Sequence, residues 1–274
     1  MLRKIKQMVN FIKSPKLIPI SEIKNENEIL KNKVAVISGG SGGIGKAIAK
    51  EFINSGCKVI ITGTNELKLK QLKEKFGNNC KYYIINLKEI NKFDESVTKM
   101  SEFFGKIDIL VNASGVHTER NNLSFLNFSE EEYNEVMDIN LRGTYFLTQA
   151  VSKYFIKNKI KGHILCISSS TALEPAWSPY RLSKWGTKGF VLGIAKELLP
   201  YNITVNAIAP GSTATAMLKY KEGESIYTDQ NTNGRYVMPE EVAFYSKYLV
   251  SDMGDMIVGD TIYISGGRGI IDVR

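Results

Sequence analysis

Tyr180 and Lys184 stand four residues apart in Tyr180-Arg181-Leu182-Ser183-Lys184. On a helix, positions i and i+4 share a face, so phenol and ammonium point the same way. A free tyrosine titrates near about 10 and is a poor base at neutral pH. A nearby cation favours the phenolate and turns the side chain into a proton carrier for an alcohol or carbonyl oxygen. By itself the spacing is also that of an exposed helix pair. Here it follows a run that ends in three hydroxyl residues, Ser168-Ser169-Ser170.

A second chemical feature lies far upstream. The apolar run Val34–Ser38 leads at once into Gly39-Gly40-Ser41-Gly42-Gly43-Ile44-Gly45, and a helical pattern follows. Strand, glycine turn and helix start together make a phosphate cradle: glycines let backbone approach a pyrophosphate, and the free N–H groups of the first helical turn point at it. The spacing fits G-x-x-x-G-x-G at 39, 43 and 45, with Ser41, Gly42 and Ile44 between. The adenosine end of such a site is read after the second strand. There the chain has Gly63-Thr64-Asn65, with no acid for ribose hydroxyls and no arginine for a 2′-phosphate. The missing carboxylate tilts the expectation towards NADP over NAD.

These features need a frame. Short β-branched runs at 33–38, 58–62, 81–85, 107–111, 162–168, 203–207 and 259–265 alternate with segments of 3.6-residue periodicity at 43–55, 66–76, 93–104, 130–155, 178–199 and 239–250. That alternation predicts an α/β fold, a doubly wound parallel sheet of Rossmann type with about seven strands, as a single domain over residues 32–274. Residues 1–31 differ: basic residues and the stripe Leu2, Ile5, Met8, Val9, Ile12 make a basic amphipathic extension, closed by Pro15 and Pro19. Two readings stay open for it, contact with an anionic membrane surface through residues 1–16, or docking on protein. The second is favoured.

The motifs together resemble the short-chain dehydrogenase/reductase family in its single-domain form, over about residues 31–270. Ser38–Gly45 is similar to that family's Thr-Gly-x-x-x-Gly-Ile-Gly. Asn112-Ala113-Ser114-Gly115 stands where the family has Asn-Asn-Ala-Gly, and Asn140 matches its helix asparagine. Tyr180 and Lys184 match its Tyr-x-x-x-Lys, and Pro210-Gly211-Ser212-Thr213-Ala214-Thr215 its Pro-Gly turn.

The resemblance implies an NAD(P)-dependent oxidoreductase that moves a hydride between nicotinamide and an alcohol/carbonyl pair. Tyr180 would carry the proton and Ser169 bond the substrate oxygen. Lys184 would hold the ribose and lower the tyrosine's pKa, and Asn140 would hold a water. It also implies cofactor contacts from Asn86 and Leu87 near the adenine, from Asn112 to Gly115, and from Pro210, Gly211, Thr213 and Thr215. Departures are a 169–180 loop two residues short, Ala113 for asparagine, Asn86 for an acid, and Ser265 for aspartate.

Substrate contacts are expected after Gly115, from the 173–179 loop and from a lid at 216–238. His117, Arg120, Trp177 and Arg181 would suit a polar or anionic substrate, unless they are simply solvated loop residues. The lid's composition is polar and does not predict a greasy pocket. The formal charge of +8 comes without any nucleic-acid module, so no nucleic-acid partner is expected. Three separated cysteines match no metal spacing and predict neither disulfide nor metal. A cytoplasmic homodimer or homotetramer is the expected form. The competing functional classes are a non-catalytic dinucleotide sensor or scaffold on the same fold, and a nucleotide-sugar epimerase. The first needs a degraded tetrad, the second a large C-terminal domain.

Overall fold

The structure is a computed structural model and describes residues 25–118 and 123–272. Seven parallel strands form one sheet: β1 (Val34–Ser38), β2 (Lys58–Gly63), β3 (Cys80–Ile84), β4 (Ile109–Asn112), β5 (His163–Ile167), β6 (Thr204–Pro210) and β7 (Thr261–Ile264), in the order β3-β2-β1-β4-β5-β6-β7. The helices are α1 (Gly43–Asn54), α2 (Glu66–Phe76), α3 (Phe93–Glu102), α4 (Glu130–Met137), α5 (Thr144–Lys157), α6 (Pro179–Leu198) and α7 (Pro239–Leu249).

Alternation along each strand decides which core it feeds. Ala35, Ile37, Val59, Ile61, Val111 and Ile208 face Ile48 and Phe52 of α1 and Val242 of α7. Val34, Val36, Ile60, Leu110 and Val205 face Met100 of α3, Phe155 of α5 and Val191 of α6. Both faces are therefore covered, as a parallel sheet requires. The chain order reverses between β1 and β4, which opens a crevice at their C-terminal ends.

One helix expected over 130–155 is broken. Residues Asp138–Gly143 form a π turn between α4 and α5, a distortion that concentrates at functional sites. Ile29 and Leu30, on the extension side of the expected boundary, are buried in the core, and the Leu30 N–H donates to Ser55 O. The amphipathic stripe of residues 1–24 lies outside the described residues. No helix among the described residues is long and apolar enough to cross a membrane.

Candidate active site

The glycine turn leaves β1 at the crevice. Gly39 has φ +69°, and a Cβ there would meet Ser114 backbone atoms at 2.7 Å and Ala113 O at 2.8 Å. Glycine lets this turn lie directly on the exit of β4, where Ser38 and Ser114 share a 2.5 Å hydroxyl hydrogen bond. A Cβ on Gly45 would sit 2.3 Å from Gly39 O, so helix and turn also touch. Gly42 caps α1 without a side-chain bond, and the first turn holds no acid. Its N–H groups are left to an anion. A Cβ at Gly43 would strike Thr215 Cγ2 at 2.6 Å, which brings the Pro210–Thr215 turn across the same cradle. A dinucleotide pyrophosphate fits this donor set.

Thr64 and Asn65 are exposed at the end of β2, where Asn65 Oδ1 caps α2 by accepting from Lys68 N at 3.0 Å. The nearest acid in sequence, Glu66, accepts from the Tyr82 hydroxyl at 3.3 Å. Asn86 is exposed and its Oδ1 accepts from Lys88 N. Leu87 is buried against Gly143. Asn112 Nδ2 donates to Thr148 Oγ1 at 2.9 Å and braces β4 against α5, while its Oδ1 is buried with no partner among the described residues.

Ser169, Tyr180 and Lys184 come together at the end of β5. Ser178 caps α6 by accepting from Arg181 N, and Pro179 opens the helix. Tyr180 thus lies in the first turn and Lys184 one turn on. Of the three serines, Ser168 Oγ donates to Lys184 O at 3.4 Å. Ser170 Oγ is buried without a partner. Ser169 Oγ accepts from Thr171 N at 3.2 Å and from Thr171 Oγ1 at 3.0 Å. With both lone pairs taken, its own proton is left to donate, towards the Tyr180 oxygen. Burial raises the Tyr180 phenol above its ordinary value, while a hydrogen bond with Ser169 and the charge of Arg268 pull it back.

This differs from the expected lowering by Lys184. Lys184 Nζ donates to Ile167 O at 3.0 Å and stands 5.5 Å from the Tyr180 ring centroid. Burial also lowers its own pKa to about 8. Asn140 Oδ1 accepts from Val116 N at 2.8 Å, and Nδ2 donates to Val116 O at 2.9 Å and Ser183 Oγ at 3.2 Å. The amide expected to hold a water is largely spent tying the β4 exit to α6. The π turn is what points it inward.

A cavity of about 290 Å³ opens over these groups. Ile44, Ser169, Tyr180 and Thr215 line its cofactor side, and Leu123, Phe128, Trp177, Met217 and Leu218 give it an apolar wall. That wall corrects the expectation from the polar lid: the apolar start of the lid turns inward. His117 stands edge-on to Tyr180, with ring centroids 5.8 Å apart. Arg181 lines the cavity as expected, while Arg120 lies outside the described residues. Sequence reasoning missed Thr171, Gln230 and Arg268; no local pattern marks them.

The crevice, glycine cradle and hydroxyl–phenol–ammonium cluster define an oxidoreductase of nicotinamide cofactors. A short chain dehydrogenase family model matches residues 33–225. The chain is 34% identical over 249 residues to a 3-oxoacyl-(acyl-carrier-protein) reductase, FabG, of Aquifex aeolicus, covering 87% of this chain and 98% of that one. It is also 34% identical over 249 residues to a 3alpha-hydroxysteroid dehydrogenase of Mediterraneibacter gnavus, covering 87% and 97%. A crystal structure of 3-ketoacyl-(acyl-carrier-protein) reductase from Brucella melitensis, complexed with NADH, superposes with TM-score 0.79 at 27% identity over 87% of this chain and 98% of that one. The chain belongs to the short-chain dehydrogenase family and is an NAD(P)-dependent oxidoreductase.

Proposed function

We propose that the enzyme interconverts a ketone and a secondary alcohol, with Ser169, Tyr180 and Lys184 as its reacting groups and Asn140 as a positioning residue. The carrying observation is the Ser169 hydroxyl. Its lone pairs are filled by Thr171, so its proton is aimed by default at an acceptor. In the reducing direction Ser169 donates to the carbonyl oxygen and stabilises charge growing there. Tyr180 passes its phenolic proton to the same oxygen. Lys184 supplies positive charge behind the phenol and a donor for a ribose hydroxyl. The dinucleotide, when bound, supplies or takes the hydride. Gly39, Ser41, Gly42, Gly43, Ile44 and Gly45 would hold its pyrophosphate, and Gly63, Thr64 and Asn65 its adenosine ribose. Ala113, Ser114, Gly115, Pro210, Gly211, Thr213 and Thr215 would enclose the nicotinamide end. With no acid at Gly63, Thr64 or Asn65, NADP is the preferred form.

The substrate is a secondary alcohol or ketone with a compact apolar body. The apolar wall supports this, as do the names of the two relatives, which act on a 3-oxoacyl group and a 3-hydroxysteroid. Free, buried cysteines suit a reducing compartment, and we place the enzyme in the cytoplasm. Tyr145 and Phe190 hold tilted rings 5.0 Å apart between α5 and α6, and α6 also carries half-exposed Trp185. This face supports a homodimer or homotetramer, which sedimentation would measure. The activity test is NADPH consumption with a ketone panel. Turnover that stops in Tyr180→Phe, with cofactor binding kept, supports the reading; turnover indifferent to that change defeats it.

A further inference from the structure

The proton transfer leaves one part of the cavity wall unused. Arg181 and Arg268 both line the cavity, and among the described residues none that lines it is an Asp or Glu. The carboxylate that serves them sits behind: Glu174 is fully buried. Arg181 Nη2 lies 2.9 Å from its Oε2. Arg268 grips it side-on, Nε to Oε1 at 2.7 Å and Nη2 to Oε2 at 3.3 Å. A buried carboxylate stripped of such partners is strongly destabilising, so this fork holds both arginines in place. It occupies the Nε edge of Arg268. The far nitrogen, Nη1, donates to Ser212 Oγ at 2.8 Å, and to Gln230 O at 3.4 Å.

The loop that delivers Arg268 is built for the purpose. Gly266, Gly267 and Gly269 have φ of 58°, 94° and 79°. A Cβ on Gly269 would come within 2.7 Å of Ser170 O. The loop is pressed onto the turn that carries Ser169, and a guanidinium 94 residues away from Glu174 in sequence becomes part of the same wall.

We infer that Arg268, held by Glu174, is a specificity-determining residue, and that the substrate carries a carboxylate a short distance from the carbonyl reduced at Tyr180. The inference rests on the assignment of Ser169 and Tyr180 as the reacting centre. The Nε–Nη2 edge of Arg268 is taken by Glu174, so a substrate carboxylate would meet the Nη1–Nη2 end in place of Ser212 and Gln230, and a guanidinium sheds water readily. Leu123, Phe128 and Met217 line the same cavity, and apolar surroundings strengthen such an attraction. The field of Arg268 is also felt at the reacting oxygen, where it pulls the phenol down.

The test is a matched set of 2-, 3-, 4- and 5-oxo acids, each beside its methyl ester, assayed with NADPH. At the best spacing the acid exceeds its ester in kcat/KM by about ten- to a hundredfold, chiefly through KM. In Arg268→Met that ratio falls to near one; in Arg268→Lys it falls part of the way. Should Arg268→Met unfold around the abandoned Glu174, the double variant Glu174→Gln/Arg268→Met carries the comparison. Where turnover is too slow to rank, calorimetric binding of straight-chain carboxylates and their amides to the enzyme–NADP complex replaces it. Acids and esters reduced alike at every spacing, carboxylates bound no better than amides, or a preference that survives Arg268→Met would each overturn the inference. Failure of the reacting-centre assignment reads differently: turnover would then persist in Tyr180→Phe, whatever the acid-to-ester ratio.

Discussion

Thr171 fills both acceptor positions of Ser169, through its backbone N–H at 3.2 Å and its hydroxyl at 3.0 Å. A serine so held has one thing left to do with its proton, which is to donate it. Thr171→Val removes one of the two bonds and leaves the backbone one. It should lower kcat by a few-fold to about tenfold, the worth of a neutral hydrogen bond that only orients. Ser169→Ala removes the donor itself and should cost about a hundred- to a thousandfold. Steady-state kinetics on the two variants check the order. Equal losses, or a larger loss for Thr171→Val, would reject Ser169 as the donor.

Tyr180→Phe should lower turnover by about 10²–10⁴-fold while the dissociation constant for NADPH, read by fluorescence, stays as it was. Lys184→Met should weaken both turnover and cofactor binding. In the cofactor-free protein Lys184 has its pKa lowered to about 8 by burial. Its charge is present below that value and lost above it, so NADPH affinity should decline as pH climbs through 8. A flat affinity profile between pH about 7 and about 9 contradicts that ribose-contact role.

How much of this was legible beforehand depends on how local each signal is. The glycine turn and the Tyr180–Lys184 pair are short-range patterns, and the sequence places both at strand–helix junctions, where the structure has them. Asn140 is different. The break at Asp138–Gly143 inserts a π turn into a continuous 3.6-residue pattern, and periodicity over 130–155 does not resolve one extra residue. That Asn112 Nδ2 also braces β4 against Thr148 of α5 is a long-range contact that no local pattern marks. The Glu174–Arg268 fork joins two loops whose separation no spacing rule covers. The lid misled because composition counts residues and not directions: Lys219, Glu222 and Glu224 make it polar, while Met217 and Leu218 line the cavity.

Cofactor choice is testable at one position. A Cβ at Gly63 would find Ser41 Oγ at 3.6 Å and Leu69 Cδ2 at 4.0 Å, ordinary contact distances. Gly63→Asp is therefore sterically admissible. It adds a carboxylate where a 2′-phosphate would lie and should shift the NADP-to-NAD ratio of kcat/KM towards NAD by about tenfold or more. A wild-type enzyme that binds NAD clearly more tightly than NADP would refute the reading of this strand end.

His163 gives the fold a pH dependence at the opposite end of β5. Its Nδ1 shares a 2.7 Å hydrogen bond with Thr204 Oγ1, and burial, helped by the charge of Lys33, lowers its pKa from 6.5 to about 4. The unfolded chain takes up a proton below 6.5 and the folded chain does not until about 4. Stability is thus full above 6.5 and is lost as pH falls through that window, by up to ~3 kcal/mol. Urea unfolding at pH about 7 and about 5 should show the loss in the wild type and a smaller one in His163→Gln. Identical losses in the two proteins would assign the acid sensitivity to other groups.

The N-terminal extension needs a cut chosen by structure. Ile29 and Leu30 are buried in the main core, and Glu26 accepts from the Tyr248 hydroxyl at 2.7 Å on α7. Removing residues 1–30 would therefore strip two core side chains, each worth about 1.5–3 kcal/mol, and would confuse a loss of stability with a loss of the amphipathic segment. Removing residues 1–24 leaves these contacts intact and asks the question cleanly. A basic amphipathic stripe of this length would be marginal as a helix alone in water and would need a surface to fold on. If that surface is protein, the shortened enzyme should lose thermal stability or change its mass in sedimentation, with no difference in partitioning onto anionic vesicles. If the surface is lipid, stability and mass should hold and vesicle binding should vanish at low salt. Docking on protein is the outcome we expect, because the catalytic domain already holds the adjoining residues against α7. Unchanged stability, mass and vesicle binding would reject both roles for the segment.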